Sequence, residues 1–226
     1  MKKVLVTGGS GFIGTHLVEL LRNKKLKVDN IDLKEGQDAC ELLPDKDYTH
    51  VFHLAAMRSV PKGEEFWRHY ITNNCISTCN IAKTYPKARI VYISSSSAQE
   101  IKSVYGATKA FGEFFSNMHP NWVNARIYNV FGPGQMLDSG AVFPKFAWAS
   151  NNYMLTPIIY GDGNQTRDFT YVKDLVVWLY ELMFKSNKKG TVHLGYGDPI
   201  SINNLCKTIF SRMPEVVHLP ANKFEI

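Results

Sequence analysis

Val4-Leu5-Val6-Thr7-Gly8-Gly9-Ser10-Gly11-Phe12-Ile13-Gly14 is the stretch that decides the fold. Residues 4–7 are a short apolar run ending at glycine, as in a parallel strand buried on both faces. From residue 12 the period changes. Phe12, Ile13, Leu17, Leu20 and Leu21 fall on one helical stripe, so residues 12–23 read as a helix. The glycines occupy the joint between the two. Gly8 permits a tight turn, Gly11 leaves room for a pyrophosphate to approach backbone, and Gly14 lets helix and sheet pack closely. The free amides of the helix start then face that anion.

The same alternation continues outward. Strands are predicted at 28–31, 51–54, 89–93 and 123–127, with helices at 37–43, 66–84 and 104–118. Strand–helix alternation of this kind specifies a Rossmann-like, doubly wound parallel α/β sheet covered on both faces. Beyond residue 130, Gly132-Pro133-Gly134-Gln135 and Gly161-Asp162-Gly163 are loop signals. Around them the pattern predicts a helix near 141–150, a strand near 158–160, helices at 171–184 and 201–212, and a strand at 191–194 that rejoins the main sheet. The expected division is a dinucleotide-binding domain over 1–130 and a small cap over 131–226, with 171–195 packing back on the sheet.

Composition bounds the function. The chain has 226 residues, 45% hydrophobic and 20% charged, with 16 Gly and 10 Pro. That excludes a disordered tail, a collagen-like repeat and a disulfide-rich miniprotein. A net charge of +6 is spread over scattered lysines, which read as solvated surface and argue against nucleic-acid binding. The four cysteines form no C-x-x-C pair and no zinc pattern, so reduced thiols in a cytoplasmic protein are expected. Two lysines precede the first strand directly, and no run reaches 18 apolar residues, so neither secretion nor membrane spanning is expected.

Two further features carry chemistry. Asp32 follows Gly8 by 24 residues at the end of the second strand, where a carboxylate suits a ribose diol. A 2′-phosphate would meet like charge there, so NAD is expected rather than NADP, with Lys34 as the counterargument. Tyr105-Gly-Ala-Thr-Lys109 puts a phenol and an ammonium at i,i+4 on one helical face. A nearby cation favours the phenolate, which can take a proton from a substrate hydroxyl as hydride leaves carbon. A serine among Ser94 to Ser97 could hold the same oxygen; strand alternation does not choose among them. No serine sits in a G-x-S-x-G elbow, which disfavours a hydrolase.

Taken together, these motifs resemble the extended short-chain dehydrogenase/reductases, in particular the NAD-dependent epimerases and dehydratases of nucleotide sugars. The similarity runs through Thr7 to Gly14, His53-Leu54-Ala55-Ala56, Asn74 with Thr78, Ser94-Ser95-Ser96 and Tyr105-x-x-x-Lys109. It continues in Arg126-x-x-Asn129-Val130-Phe131-Gly132-Pro133-Gly134-Gln135 and Gly161-Asp162-Gly163-x-x-Thr166-Arg167-Asp168-Phe169. The resemblance implies NAD held by Gly8, Gly11, Phe12, Ile13, Gly14, Asp32, Leu54, Ala55, Ala56, Asn74, Tyr105 and Lys109. It implies Ser96 as the catalytic hydroxyl, with Ser95 or Ser97 as fallback, Tyr105 as base and Lys109 as its partner. Asn129 and Arg167 match contacts to the diphosphate of a nucleotide-diphosphate sugar. His53 reads equally as a core residue, and Asp168 and Asp174 as structural.

The implied reaction is transient oxidation at C4 and return of hydride to the other face. Dehydratases of the family resemble one another in an acid pair after the catalytic hydroxyl. Ser97 and Ala98 stand there, which favours a 4-epimerase over a dehydratase or a decarboxylating relative. An NAD(P)H-dependent reductase and a nucleotide-binding member without turnover are the alternatives. The family also implies a homodimer through helices 66–84 and 104–118. Three departures stand out. Only 18 residues separate Asp32 from Val51, so a strand or helix is expected to be missing there, with Asp45 or Asp47 near the adenine. Ser96 and Tyr105 are nine residues apart, and the cap reads as short, with Arg212 as a candidate second phosphate ligand.

Overall fold

The computed structural model describes residues 2–41, 43–44, 46–152, 155–210 and 214–221. In chain order its elements are β1 (Lys3–Thr7), α1 (Phe12–Asn23), β2 (Lys27–Ile31), β3 (His50–His53), α2 (Val60–Glu65), α3 (Trp67–Ile71), α4 (Ser77–Thr84), β4 (Arg89–Ser95), α5 (Val104–Phe114) and β5 (Trp122–Ile127). They continue as β6 (Asn129–Phe131), α6 (Val142–Ser150), β7 (Ile158–Tyr160), β8 (Thr166–Arg167), β9 (Phe169–Tyr171), α7 (Val172–Phe184), β10 (Gly190–Leu194), β11 (Ile200–Ser201), α8 (Ile202–Phe210) and β12 (Val217–Leu219).

Six strands make one sheet in the order β10-β5-β4-β3-β1-β2, and every neighbouring pair is parallel. This is the doubly wound α/β sheet that the alternation specifies. Its centre is apolar on both faces: Val4, Leu5, Val6, Val51, Phe52, Ile90, Val91, Trp122, Val123 and Ala125 are all fully buried. Each such large side chain contributes about 1.5–3 kcal/mol of burial free energy. The strand order changes direction between β1 and β3, and at such switch points the carboxyl ends of strands open a crevice. α1 packs against α7. The end of α7 is closed by Arg89, whose guanidinium donates to the carbonyls of Leu182, Ser186 and Lys188.

The chain divides into two compact units, Met1–Ile127 with Val172–Leu194, and Tyr128–Tyr171 with Gly195–Ile226. The first contains the large sheet. In the second, β6 pairs with β9 and β7 with β12 in parallel, and β8 pairs with β11 antiparallel. Phe146, Ile159, Ile202, Leu205 and Cys206 form its core.

Several elements differ from the sequence expectation. No helix forms over the described part of 37–43; a 3-10 turn occupies Leu33–Glu35 instead. Gly36 ends it in the left-handed region, at φ +74°. The Asp38 carboxylate then accepts the Cys40 amide at 2.8 Å, a local bond that competes with helix. β3 therefore returns directly beside β1, and β2 is left at the sheet edge. The helix expected over 66–84 starts earlier and is broken. Ser59 caps α2, Phe66 (φ −109°, ψ 39°) interrupts it, and a π-turn at Thr72–Ile76 separates α3 from α4. The helix expected over 104–118 is α-helical only to Phe114, followed by a 3-10 turn at Phe115–Asn117. β12 lies beyond the last element that the sequence pattern predicts. Asp45 and Arg212 lie outside the described residues.

Candidate active site

At the end of β1 the backbone has no room for side chains. Gly8 has φ +73°, and a Cβ there would lie 2.7 Å from the Ala55 nitrogen and 3.0 Å from the Leu54 carbonyl carbon. A Cβ on Gly14 would strike the Gly8 carbonyl oxygen and approach Gly9 Cα to 2.6 Å. Gly11 takes the N-cap position of α1 without a side-chain cap. The first-turn amides of Phe12, Ile13 and Gly14 are thus presented by a helix that brings no anion of its own, as an anion cradle requires. Leu54, Ala55 and Ala56 continue β3 past this turn: the Leu54 amide donates to the Thr7 carbonyl at 3.0 Å, and the Ala55 amide to the Thr7 hydroxyl at 3.3 Å. Asp32 borders the same turn, accepting from the Ser10 amide at 2.9 Å and the Lys34 amide at 2.9 Å.

Tyr105 stands in the first turn of α5. Ser103 caps that helix through the Gly106 amide at 3.0 Å, and the Glu64 carboxylate accepts the Val104 amide at 2.7 Å. Gly106 lies against the Ser97 carbonyl, so α5 starts directly on the 3-10 turn Ser96–Ala98. The nine-residue spacing therefore still brings serine and tyrosine together. Among Ser94 to Ser97 it is Ser95, the last residue of β4, whose side chain bears on the phenol, lowering its pKa. Ser96 opens the turn that follows. The Ser94 hydroxyl is engaged by Glu113, at 2.6 Å. Burial raises the Tyr105 phenol above its usual value; the Ser95 bond and the Arg58 guanidinium oppose that rise.

Lys109, one turn along α5, directs its ammonium at β4. It is 3% exposed, its ammonium donates to the Ile93 carbonyl at 2.8 Å, and it lies 4.9 Å from the centre of the Tyr92 ring. Burial pulls its pKa down to about 7. Unfolded, the lysine keeps its proton to about its usual 10.5. The folded chain therefore holds fewer protons between these values, and stability rises with pH across that window. Lys109→Met removes the buried charge. It should stabilise the fold by about 1–3 kcal/mol at pH 6 and by less at pH 9.5, as urea denaturation at the two pH values would show. A pH-independent difference would refute the buried-charge account.

A buried polar chain links β1 to α5. His53 is 1% exposed; its ring nitrogens meet the Thr7 hydroxyl at 2.7 Å and the Thr78 hydroxyl at 3.1 Å. Burial lowers its pKa to about 3, so it is neutral. Thr78 donates to the Asn74 carbonyl, Asn74 to the Thr108 hydroxyl, and Thr108 to the Tyr105 carbonyl. Asn74, expected at the dinucleotide, is 2% exposed. The π-turn places it inward, and its amide exchanges bonds with the Met57 backbone at 2.8 and 3.0 Å. It thereby fixes the segment that follows Ala56. Sequence reading missed Arg58 and the Asn30–Glu35 pair beside Ser10. A polar Asn30 within a strand was the available signal.

In the second unit, Asn129 lies in β6, and both its backbone and side-chain amides donate to the Asp168 carbonyl, at 3.0 and 3.3 Å. Arg167 lies in β8 and donates to the Thr166 carbonyl at 2.9 Å. The Asp168 carboxylate accepts from the Tyr196 and Gly197 amides, at 3.3 and 2.9 Å, and so shapes the turn after β10. Among the described residues no cluster of three His, Cys, Asp or Glu could hold a metal ion, and no helix is long and apolar enough to cross a membrane.

Known proteins are similar to this chain in sequence and fold. The chain is 30% identical to the UDP-N-acetylglucosamine 4-epimerase from Methanobrevibacter ruminantium M1, solved in complex with UDP-N-acetylmuramic acid; the match covers 98% of this chain and 86% of that one, with a TM-score of 0.88. It is 25% identical to the UDP-glucose 4-epimerase of Thermus thermophilus, solved with NAD, over 98% and 87% of the two chains, with a TM-score of 0.83. It is also 27% identical to UDP-glucuronic acid decarboxylase 6 of Arabidopsis thaliana, over 92% of this chain and 73% of that protein. The family model for the NAD dependent epimerase/dehydratase family matches residues 4–195. With glycine turn, Asp32, Tyr105 and Lys109 all inside that match, the chain belongs to the NAD dependent epimerase/dehydratase family.

Proposed function

We propose that the chain is an NAD-dependent enzyme that epimerises a nucleotide-diphosphate sugar at C4. The observation that carries this reading is Tyr105 in the first turn of α5, which starts directly on the Ser96–Ala98 turn capped by Ser95, one helical turn from Lys109 and in the unit that holds the glycine turn. The residues fit NAD: the uncapped α1 amides suit its pyrophosphate, the space kept by Gly8 and Gly14 suits close backbone approach, and Asp32 suits a free ribose diol. Bound there, NAD supplies a reversible hydride acceptor.

Tyr105 takes the proton of the sugar hydroxyl at its phenolic oxygen and later returns it. Ser95 is assigned to the phenol, and Ser96, next in the chain, to the substrate oxygen. Asn74 fixes the Met57 backbone, and His53 bridges the Thr7 and Thr78 hydroxyls. Asn129 and Arg167 are assigned to the diphosphate, for which a planar guanidinium is suited. We assign the dinucleotide to the first unit and this part of the substrate to the second. Among the family's reactions, epimerisation is favoured because no acid follows the serine. Ala98 is buried, Ser97 is neutral, and Glu100 points its charge to Lys102, at 2.9 Å.

The test is incubation with a panel of UDP- and other NDP-hexoses, their N-acetyl and uronic forms included, with products read by chromatography. Interconversion without added cofactor is expected. Product that forms only with stoichiometric NADH or NADPH would mean a reductase, and carbon dioxide release would mean a decarboxylase. The same preparation should sediment as a homodimer through α3, α4 and α5, where Trp67, Ile71, Phe111 and Phe114 are exposed; a monomer at micromolar concentration would remove that part.

A further inference from the structure

The turn after β2 carries a second carboxylate that the glycine-turn pattern does not call for. Glu35 Oε1 accepts from the Ser10 hydroxyl at 2.5 Å and from the Asn30 side-chain amide at 2.6 Å. The same Asn30 amide donates to Ser10 Oγ at 3.0 Å, and Asn30 Oδ1 accepts from the Gly9 amide at 2.9 Å. Asp32 accepts from the Ser10 amide. Both carboxylates are therefore tied to one residue of the glycine turn, Asp32 through its N–H and Glu35 through its hydroxyl. The bonds from Ser10 and Asn30, with a smaller contribution from the Arg22 guanidinium, hold Glu35 below the usual carboxylate range, so it is charged at neutral pH. Lys34, the cation of this turn, donates its ammonium to the Ser10 carbonyl at 3.0 Å.

We propose that Glu35 is a selectivity residue that acts with Asp32 to restrict the chain to a dinucleotide whose adenosine ribose has a free 2′-hydroxyl. The proposal rests on the assignment of NAD to the glycine turn. A ribose diol donates hydrogen bonds and tolerates both acids. A 2′-phosphate carries close to two negative charges and would sit among two carboxylates. The turn's own cation, Lys34, is engaged by backbone across the turn. The clasp also fixes Glu35 in place, since a free side chain could swing away from the phosphate at little cost.

Direct binding of NADH and NADPH, followed by quenching of tryptophan fluorescence, tests this without any sugar substrate. Glu35→Gln keeps the side-chain shape and removes the charge. It should tighten NADPH about tenfold and leave NADH within about twofold, the scale expected from one unit charge near a protein surface. The gain should shrink at about 0.5 M salt, where exposed charges are screened. Equal changes for both dinucleotides would reduce Glu35 to a scaffold residue and overturn the proposal, as would an unmoved NADPH affinity. Binding of neither dinucleotide by the unsubstituted protein would overturn the functional reading as well. NADH binding with a preference indifferent to Glu35 would overturn this inference alone.

Discussion

Tyr105→Phe should lower turnover about 10²–10⁴-fold, the scale of general acid–base help, with KM for the sugar nucleotide nearly unchanged. The substitution removes one oxygen and leaves the ring, so α5 keeps its Ser103 cap and its Glu64 contact. Only the phenolic oxygen and the proton route it offers are lost. Phenolate formation is costly in this structure because burial raises Tyr105, and the opposing help comes from Ser95 and Arg58. Ser95→Ala and Arg58→Gln should therefore lower turnover more at neutral than at alkaline pH, where the phenol ionises without them. Ser96→Ala should lower it at every pH, as expected of a hydroxyl that meets substrate. Chromatographic rates over pH 6–10 separate the three. Equal turnover in Tyr105→Phe would end the assignment of the base.

How much of this was legible in the sequence follows from how local each signal is. The strand–glycine–helix joint is fixed by contiguous residues, and Gly8, Gly11 and Gly14 stand where the spacing put them. Tyr105 and Lys109 share one helix, so their neighbourhood was readable as well. The direction of the Lys109 ammonium was not. It depends on a strand carbonyl, Ile93, 16 residues away, and on the Tyr92 ring beneath it. The choice among the four serines was not legible for a related reason, since β4 runs on to Ser95 and only then turns. The burial of Asn74 was not legible because a π-turn, which shifts the helical phase, carries its amide into the interior. Arg58 and Glu35 lie in segments with no periodicity; Glu35 is placed by its bond to Ser10 and Arg58 by its charge acting on Tyr105.

Gly14→Ala should destabilise the fold by about 2–4 kcal/mol, at the upper end of overpacking effects, and weaken dinucleotide binding at least about tenfold. The sign is not obvious from local preference. Gly14 is in the first turn of α1, and alanine in a helix is favoured over glycine by about 1 kcal/mol. Against that stands a Cβ directed at the Gly8 carbonyl oxygen and 2.6 Å from Gly9 Cα, both backbone atoms of the turn itself. Neither can rotate aside as a side chain would. Gly8 is pinned in turn, its amide donating to the Ile31 carbonyl at 2.8 Å. Relief requires α1 to move off the turn, which withdraws its first-turn amides from the anion they would hold. Gly36→Ala is the matched comparison. Gly36, unlike Gly14, has a positive φ, +74°, yet nothing lies within 4 Å of its added Cβ. It should cost only the about 1–2 kcal/mol of left-handed backbone and leave NADH affinity unchanged. Urea midpoints with unchanged m-values would give the two stabilities, and fluorescence quenching the two affinities. A Gly14→Ala protein as stable as the parent would mean that α1 and the turn are not in the contact on which the cradle depends.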